Sequence, residues 1–240
     1  MISRIGRYDI VVALESRGVF FEVPAEAVSR TFSGEPCPPY LIKLFPQTRE
    51  LPAAVPRETH VLRSIRSLHV PRLVGGGLDQ ELCRYYYEME LPAPLRPLAE
   101  GPPSLRACAA VADALQALHD DGIAYRNFAC EAIAFTASGR PILYDIHRVR
   151  RFDATRLVEA TAHAEAFDPP EARIGAYDTV RADMFGFGCW LRSCGAQWLG
   201  ERAVAGVLER LTAQEPRDRP NSMGQIAELL RRSGSDGTEA

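Results

Sequence analysis

At residues 118–135 the chain reads LHDDGIAYRNFACEAIAF, and within this stretch its pattern changes from helical to extended. Upstream, Leu105, Cys108, Val111, Ala112, Leu115 and Leu118 recur at helical spacing. Ser104 is placed to cap that helix and Gly122 to end it. Downstream, Ala132–Phe135 and Pro141–Tyr144 read as two short β segments around the turn Ala137-Ser138-Gly139. Tyr125, Arg126 and Asn127 fall between the helix and the first strand, where a polar loop is expected.

Toward the C-terminus the pattern stays helical, near Arg181–Ser193, Ala203–Thr212 and Met223–Arg232. Residues 233–240, SGSDGTEA, are polar and expected to be disordered. Toward the N-terminus it is extended. Tyr8–Val23 suggests two strands joined by a turn at Gly18, and Phe32–Pro39 a loop. Tyr40–Phe45 (YLIKLF) reads as a short buried strand with one charge, Lys43. Pro56 is expected to open a helix whose apolar face carries Val61, Leu62, Ile65 and Leu68. Leu82–Leu91, with three consecutive tyrosines, suits a strand, and Pro92–Pro103 a proline-rich connector. A strand-rich first third and a helix-rich remainder predict an α+β chain of two lobes, 1–91 and 92–232, around a hinge at Glu90–Pro97.

A chain of 240 residues has room for these two lobes and for no further domain. A net charge of -3 and a pI near 6.0 point away from nucleic acid or an anionic membrane as partner. No stretch approaches the ~18 apolar residues of a membrane span. Met1–Val12 lacks the apolar core of a signal peptide, so a cytoplasmic location is expected. The six cysteines (Cys37, Cys83, Cys108, Cys130, Cys189 and Cys194) form no CxxC pair, so scattered buried thiols are expected rather than a metal site. The 28 basic residues comprise 27 arginines and one lysine, Lys43, in an arginine-, alanine- and proline-rich composition that suggests a GC-rich, bacterial genome.

The order of these segments resembles eukaryotic-type protein kinases across nearly the whole chain. YLIK, 40–43, is similar to that family's strand-lysine motif, and PRETHVLRSIRSLHVPRLV, 56–74, to its helix C and the segment that follows, with Glu58 as the helix glutamate. Residues 118–135 match the segment around the HRD catalytic loop. LYDIH, 143–147, occupies the DFG position and PPE, 169–171, that of APE. RADMFGFG, 181–188, resembles the helix bearing the structural aspartate, here Asp183. EPRDRP, 215–220, contains Arg219, which in the family pairs with the APE glutamate, here Glu171. The resemblance implies a kinase-like fold: a small antiparallel β N-lobe with one helix, and a mainly helical C-lobe.

Several parts of that family's machinery are kept. A lysine inside an apolar strand needs a partner, because an unpaired buried ammonium is very costly. Glu58 is the expected one, and nucleotide phosphates can share the charge. Arginine holds every other basic position, so a compact ammonium rather than a planar fork is wanted at Lys43. The resemblance assigns Gly18, Lys43, Glu58, Met89, Glu90, Leu91 and Asp145 to nucleotide, and Asp145 to Mg²⁺, with ATP as the implied ligand; a structural acid accepting backbone N–H bonds is an equal reading of Asp145.

Other parts are lost. Of three expected glycines in ESRGVFFEV, 15–23, only Gly18 remains, with Ser16 and Phe21 at the other two positions. Tyr125-Arg126-Asn127 stands where His-Arg-Asp is expected. The amide of Asn127 cannot act as a carboxylate base, a contribution of roughly 10²–10⁴-fold. Ala129 replaces the lysine that neutralises the transferring phosphate, Ala132 the asparagine of a second Mg²⁺ site, and Ala164 a threonine of the same machinery. Ile146 and His147 replace Phe and Gly after Asp145. Arg126 survives; in the family it often pairs with an activation-loop phosphate, but the favoured reading is that it hydrogen-bonds loop carbonyls. Thr155 and Thr161 lie in that loop, and Arg148, Arg150 and Arg151 form its basic cluster.

The expected function is therefore a pseudokinase, a binding or allosteric module for a protein partner, gated by nucleotide. The enzymatic alternatives are a slow Ser/Thr kinase and a kinase-fold transferase using ATP differently, as in AMP transfer. A small-molecule kinase of the aminoglycoside type is disfavoured by the APE-like motif and Asp183.

Overall fold

The computed structural model describes residues 4–5, 8–9, 12–15, 19–23, 40–45, 54–91, 95–96, 103–128, 133–136, 138–144, 146, 148–151, 167–174, 179–194 and 202–235. Side chains are described from Leu41 onward, apart from those of 54, 57, 95–96, 173–174, 179, 202–203 and 234–235.

The extended, apolar N-terminal sequence forms strands. β1 (Arg4–Ile5) and β2 (Tyr8–Asp9) pair as a small ribbon. β3 (Val12–Glu15), β4 (Val19–Val23), β5 (Tyr40–Leu44), β6 (Arg72–Asp79) and β7 (Arg84–Glu90) make a five-stranded antiparallel sheet in the order β3-β4-β5-β7-β6. The most apolar segment, β5, is central, with Leu41, Ile42 and Leu44 fully or almost fully buried. Helix α1 (Ala54–Ser64) lies in the chain between β5 and β6. It starts two residues before Pro56. The first four N–H groups of a helix have no partner within it, so proline is tolerated in that first turn as well as at its opening.

The remaining chain builds four further helices among the described residues: α2 (Leu105–Asp120), α3 (Thr179–Ser193), α4 (Arg202–Leu211) and α5 (Met223–Ser235). Ser104 caps α2 as expected, its hydroxyl accepting from Ala107 N at 3.2 Å, and Gly122 takes φ +71 just past the end. Helix α5 continues three residues beyond Arg232, so the polar run 233–235 is helical, and residues 236–240 lie outside the described residues. Helix α2 packs chiefly on α5. There the Gln116 side-chain oxygen accepts from Ser222 Oγ and Gly224 N, both at 3.0 Å, fixing the start of α5.

Short antiparallel strands complete the fold. β10 (Ile133–Thr136) pairs with β11 (Pro141–Leu143) and also with β8 (Leu95–Arg96), a strand inside the segment expected to be a plain connector. β9 (Ile123–Ala124) pairs with β12 (Arg150–Arg151), fixing the two ends of the intervening segment side by side. The chain is thus mixed α/β with small antiparallel sheets, and the described strands form no barrel.

The sheet and the helices share one apolar core, which includes Leu41, Leu62, Tyr87, Leu115, Tyr125, Ile146 and Phe187. A polar tie adds to it. After α1, His69 accepts from Leu143 N through its backbone oxygen at 2.7 Å, and its ring Nδ1 lies 3.0 Å from Pro141 O. Among the described residues, no helix is long and apolar enough to cross a membrane.

Candidate functional site

Lys43 sits on β5 directly opposite Phe20 of β4 and Tyr87 of β7. Residues opposed in this way project on the same sheet face, so register brings the ammonium and the Tyr87 ring together. Helix α1 delivers Glu58 to that face. Lys43 Nζ lies 2.7 Å from Glu58 Oε2, and both residues are buried, at 5% and 3% exposure. Tyr87 Oη donates to the same carboxylate oxygen at 2.6 Å. The ammonium also lies 5.3 Å from the Phe45 ring centroid and 5.8 Å from that of Tyr87, within cation–π range. One buried carboxylate thus receives two donors while two aromatic rings flank the cation. This satisfies the charge that the sequence places in an apolar strand.

The three positions named for nucleotide at the end of β7 and just past it are also described. Met89 and Leu91 are fully buried, and Glu90 is half-buried and ion-paired with Arg72 on β6. Gly18 and Asp145 fall outside the described residues, as do Ser16, Ala129, Ala132, His147, Thr155, Thr161 and Ala164. The Phe21 side chain is likewise not described.

Asp183, on α3, organises the loop after β9. Its side chain is fully buried, and its two oxygens accept from consecutive backbone amides, Tyr125 N at 2.8 Å and Arg126 N at 2.7 Å. His119 Nε2, at the end of α2, lies 2.9 Å from the same carboxylate. Between these bonds Arg126 is held at φ +60, a left-handed conformation that a non-glycine residue adopts at a cost. Asn127 follows and is almost completely buried. Tyr125 is fully buried and stacks edge-on against Phe128, with centroids 5.4 Å apart at 87°.

Glu171 and Arg219 meet in a bidentate pair, Nη1–Oε1 at 2.6 Å and Nη2–Oε2 at 2.8 Å. The remaining three guanidinium N–H groups donate to the backbone oxygens of Ala213 (2.9 Å), Arg181 (3.0 Å) and Gln214 (3.2 Å). All five donors are therefore used, and the guanidinium carbon lies 5.0 Å from the Phe185 ring centroid. Arg181 in turn donates to Pro216 O at 2.6 Å and to Asn221 Oδ1 at 2.8 Å, closing the turn around Arg219.

Arg148, counted with Arg150 and Arg151 as a basic cluster, pairs with Asp168 at 2.7 Å. One expectation needs correction. Cys83 is exposed rather than buried, because it sits in the turn between β6 and β7 at φ +51. Cys108 is buried, and burial raises its thiol pKa well above the ordinary value. Burial also raises that of Cys189. No group of three or more metal-ligating side chains occurs among the described residues.

Sequence reasoning missed Tyr87 and His119. The tyrosine run 85–87 held the signal for the first, since alternation puts 85 and 87 on one face, but register with Lys43 was needed to use it. His119 gave no signal beyond lying in LHDD. No protein-family model matches the chain, and comparison with curated proteins gives no match.

Proposed function

We propose that the chain is a two-lobed, catalytically impaired protein-kinase-like domain, a pseudokinase that acts as a protein-binding or allosteric signalling module gated by nucleotide. What carries the reading is a contrast within one molecule. The buried charges Lys43–Glu58, Glu171–Arg219 and Asp183 are each paired or hydrogen-bonded, whereas an amide, Asn127, follows Arg126 where a carboxylate base is needed. Removing one partner of a buried pair commonly costs ~3–5 kcal/mol, so such pairs persist under selection for the fold alone. Loss of the base, with Ala129 and Ala132 beside it in sequence, removes the chemistry and leaves the scaffold.

The residues that would hold ATP are Lys43, Glu58, Met89, Glu90 and Leu91, with Gly18. Asp145 would hold Mg²⁺. A buried ammonium already oriented by a carboxylate suits a phosphate group. Bound ATP would bring its phosphate charge to the Lys43–Glu58 pair. In this role the chain's own residues bind and orient the nucleotide without transferring it.

Thermal unfolding with ATP, with and without Mg²⁺, tests the reading. Ligand at ~100 times its Kd adds ~2.7 kcal/mol of stability. The wild type should show a raised Tm, and Lys43→Met should lose the ATP-dependent increment. No shift at millimolar ATP would remove the nucleotide gate. Label taken from α- but not γ-labelled ATP would instead identify AMP transfer.

A further inference from the structure

Helical spacing predicts Ile65 and Leu68 on the apolar face of the first helix. Helix α1 ends earlier, at Ser64, and Leu68 is 65% exposed, the most of any large apolar side chain among the described residues. That exposure is built into the turn after the helix. Ser67 Oγ accepts from His69 N at 3.2 Å, and His69 is itself tied to Leu143 N and Pro141 O. A fixed backbone thus holds Leu68 outward, so a partner that covers it loses little entropy in ordering the turn.

Leu68 lines a cleft of about 480 Å³, within the roughly 300–1,000 Å³ of ligand clefts. Partly buried Ile65 and Leu73 add apolar surface to it. Its charged lining is three arginines, Arg63, Arg66 and Arg72, and one glutamate, Glu90, which Arg72 already pairs. Arg63 and Arg66 are exposed and form no ion pair among the described residues. Nor are they occupied in capping α1, whose last-turn carbonyls at Val61 and Leu62 accept from Ser64 Oγ and Ile65 N. Two positive charges are therefore left beside an apolar cleft, in a chain whose net charge is -3.

We propose that this cleft is a docking site for an acidic peptide segment of a partner protein, one that carries an apolar side chain between carboxylates. The apolar side chain covers Leu68 and enters the cleft against Ile65 and Leu73. The flanking carboxylates meet Arg63 and Arg66, whose planar forks suit bidentate pairing. Charge selects such a segment over a basic one. Nucleic acid fits less well, because two arginines offer few phosphate contacts and the chain as a whole is acidic. The inference gives a surface to the protein-binding part of the proposed function and rests on that part alone; nucleotide does not enter it.

Fluorescence anisotropy with the full chain, in the absence of nucleotide, is the test. The probe is a labelled peptide in which leucine is flanked on each side by paired glutamates. One control has lysine for glutamate, and the other has serine for leucine. The acidic leucine peptide should bind, more weakly as salt rises, and each control should bind at least about tenfold more weakly. R63E/R66E should weaken binding at least about tenfold, and Leu68→Ser should weaken it as well. R192E/R210E, an equal change of charge at exposed positions on α3 and α4, should leave it unchanged. Should R63E/R66E fail to fold, as judged by circular dichroism, R63Q/R66Q decides, since it removes the charges without adding opposite ones. No binding, equal binding of the lysine control, binding untouched by the arginine variants, or tighter binding of a single-stranded oligonucleotide would overturn the proposal. A chain that binds no peptide but whose Tm rises with ATP would lose this inference and keep the nucleotide gate.

Discussion

Lys43 is accommodated in a buried strand because three groups meet it: the Glu58 carboxylate and the rings of Phe45 and Tyr87. Lys43→Met should lower stability by ~3–5 kcal/mol in urea denaturation, because it strands a buried carboxylate. Tyr87→Phe removes one hydrogen bond to a charged group and should cost less, ~1.5–3 kcal/mol. An equal loss in both variants would mean that the ion pair is not the dominant interaction. At this scale the sequence was most legible where a charge stood in an apolar run. Lys43 demanded a partner, and Glu58 was a candidate on the next helix. The Glu171–Arg219 pairing was read through resemblance to kinases, and the structure contains it in bidentate form. Tyr87 and His119 were not legible, since their roles depend on strand register and on where a helix end meets α3.

At the scale of elements, helices were easier to read than short strands, for a physical reason. Helix α2 carries its own information in six apolar positions and a capping serine, all local in sequence. Ser104→Ala should cost ~1 kcal/mol, the usual worth of an N-cap, measured as a lowered denaturation midpoint. Gly186→Ala on α3 should cost distinctly more, although alanine favours helices, because its Cβ would overlap the Phe128 ring. If Gly186→Ala proved neutral, the close approach of α3 to the loop after β9 would be wrong. Strand β6 was not legible, because three consecutive glycines erase both β propensity and alternation. Its existence depends on pairing with β7. The two-residue strands β8, β9 and β12 are likewise products of tertiary pairing that no local signal marks.

At the scale of the whole molecule, one apolar core joins the sheet to the helices, so its interior should open as a unit. Thiol labelling near neutral pH should then modify exposed Cys83 quickly and Cys108 only at the rate of global unfolding. Raised folded-state thiol pKa values also give a pH dependence. The stability that Cys108 and Cys189 contribute is full below the ordinary thiol value of 9.0 and falls as pH rises above it, where the unfolded chain ionises first. The proposed function rests on a division that appears only when the chain is taken as a whole, between buried charges that keep their partners and a loop in which Asn127 stands where the proposal would need a carboxylate base. Transfer of label from γ-labelled ATP to protein, assayed where ATP raises the Tm of the wild type, tests that division most directly. The account predicts no incorporation above that of Lys43→Met, and incorporation that depends on Lys43 would contradict it.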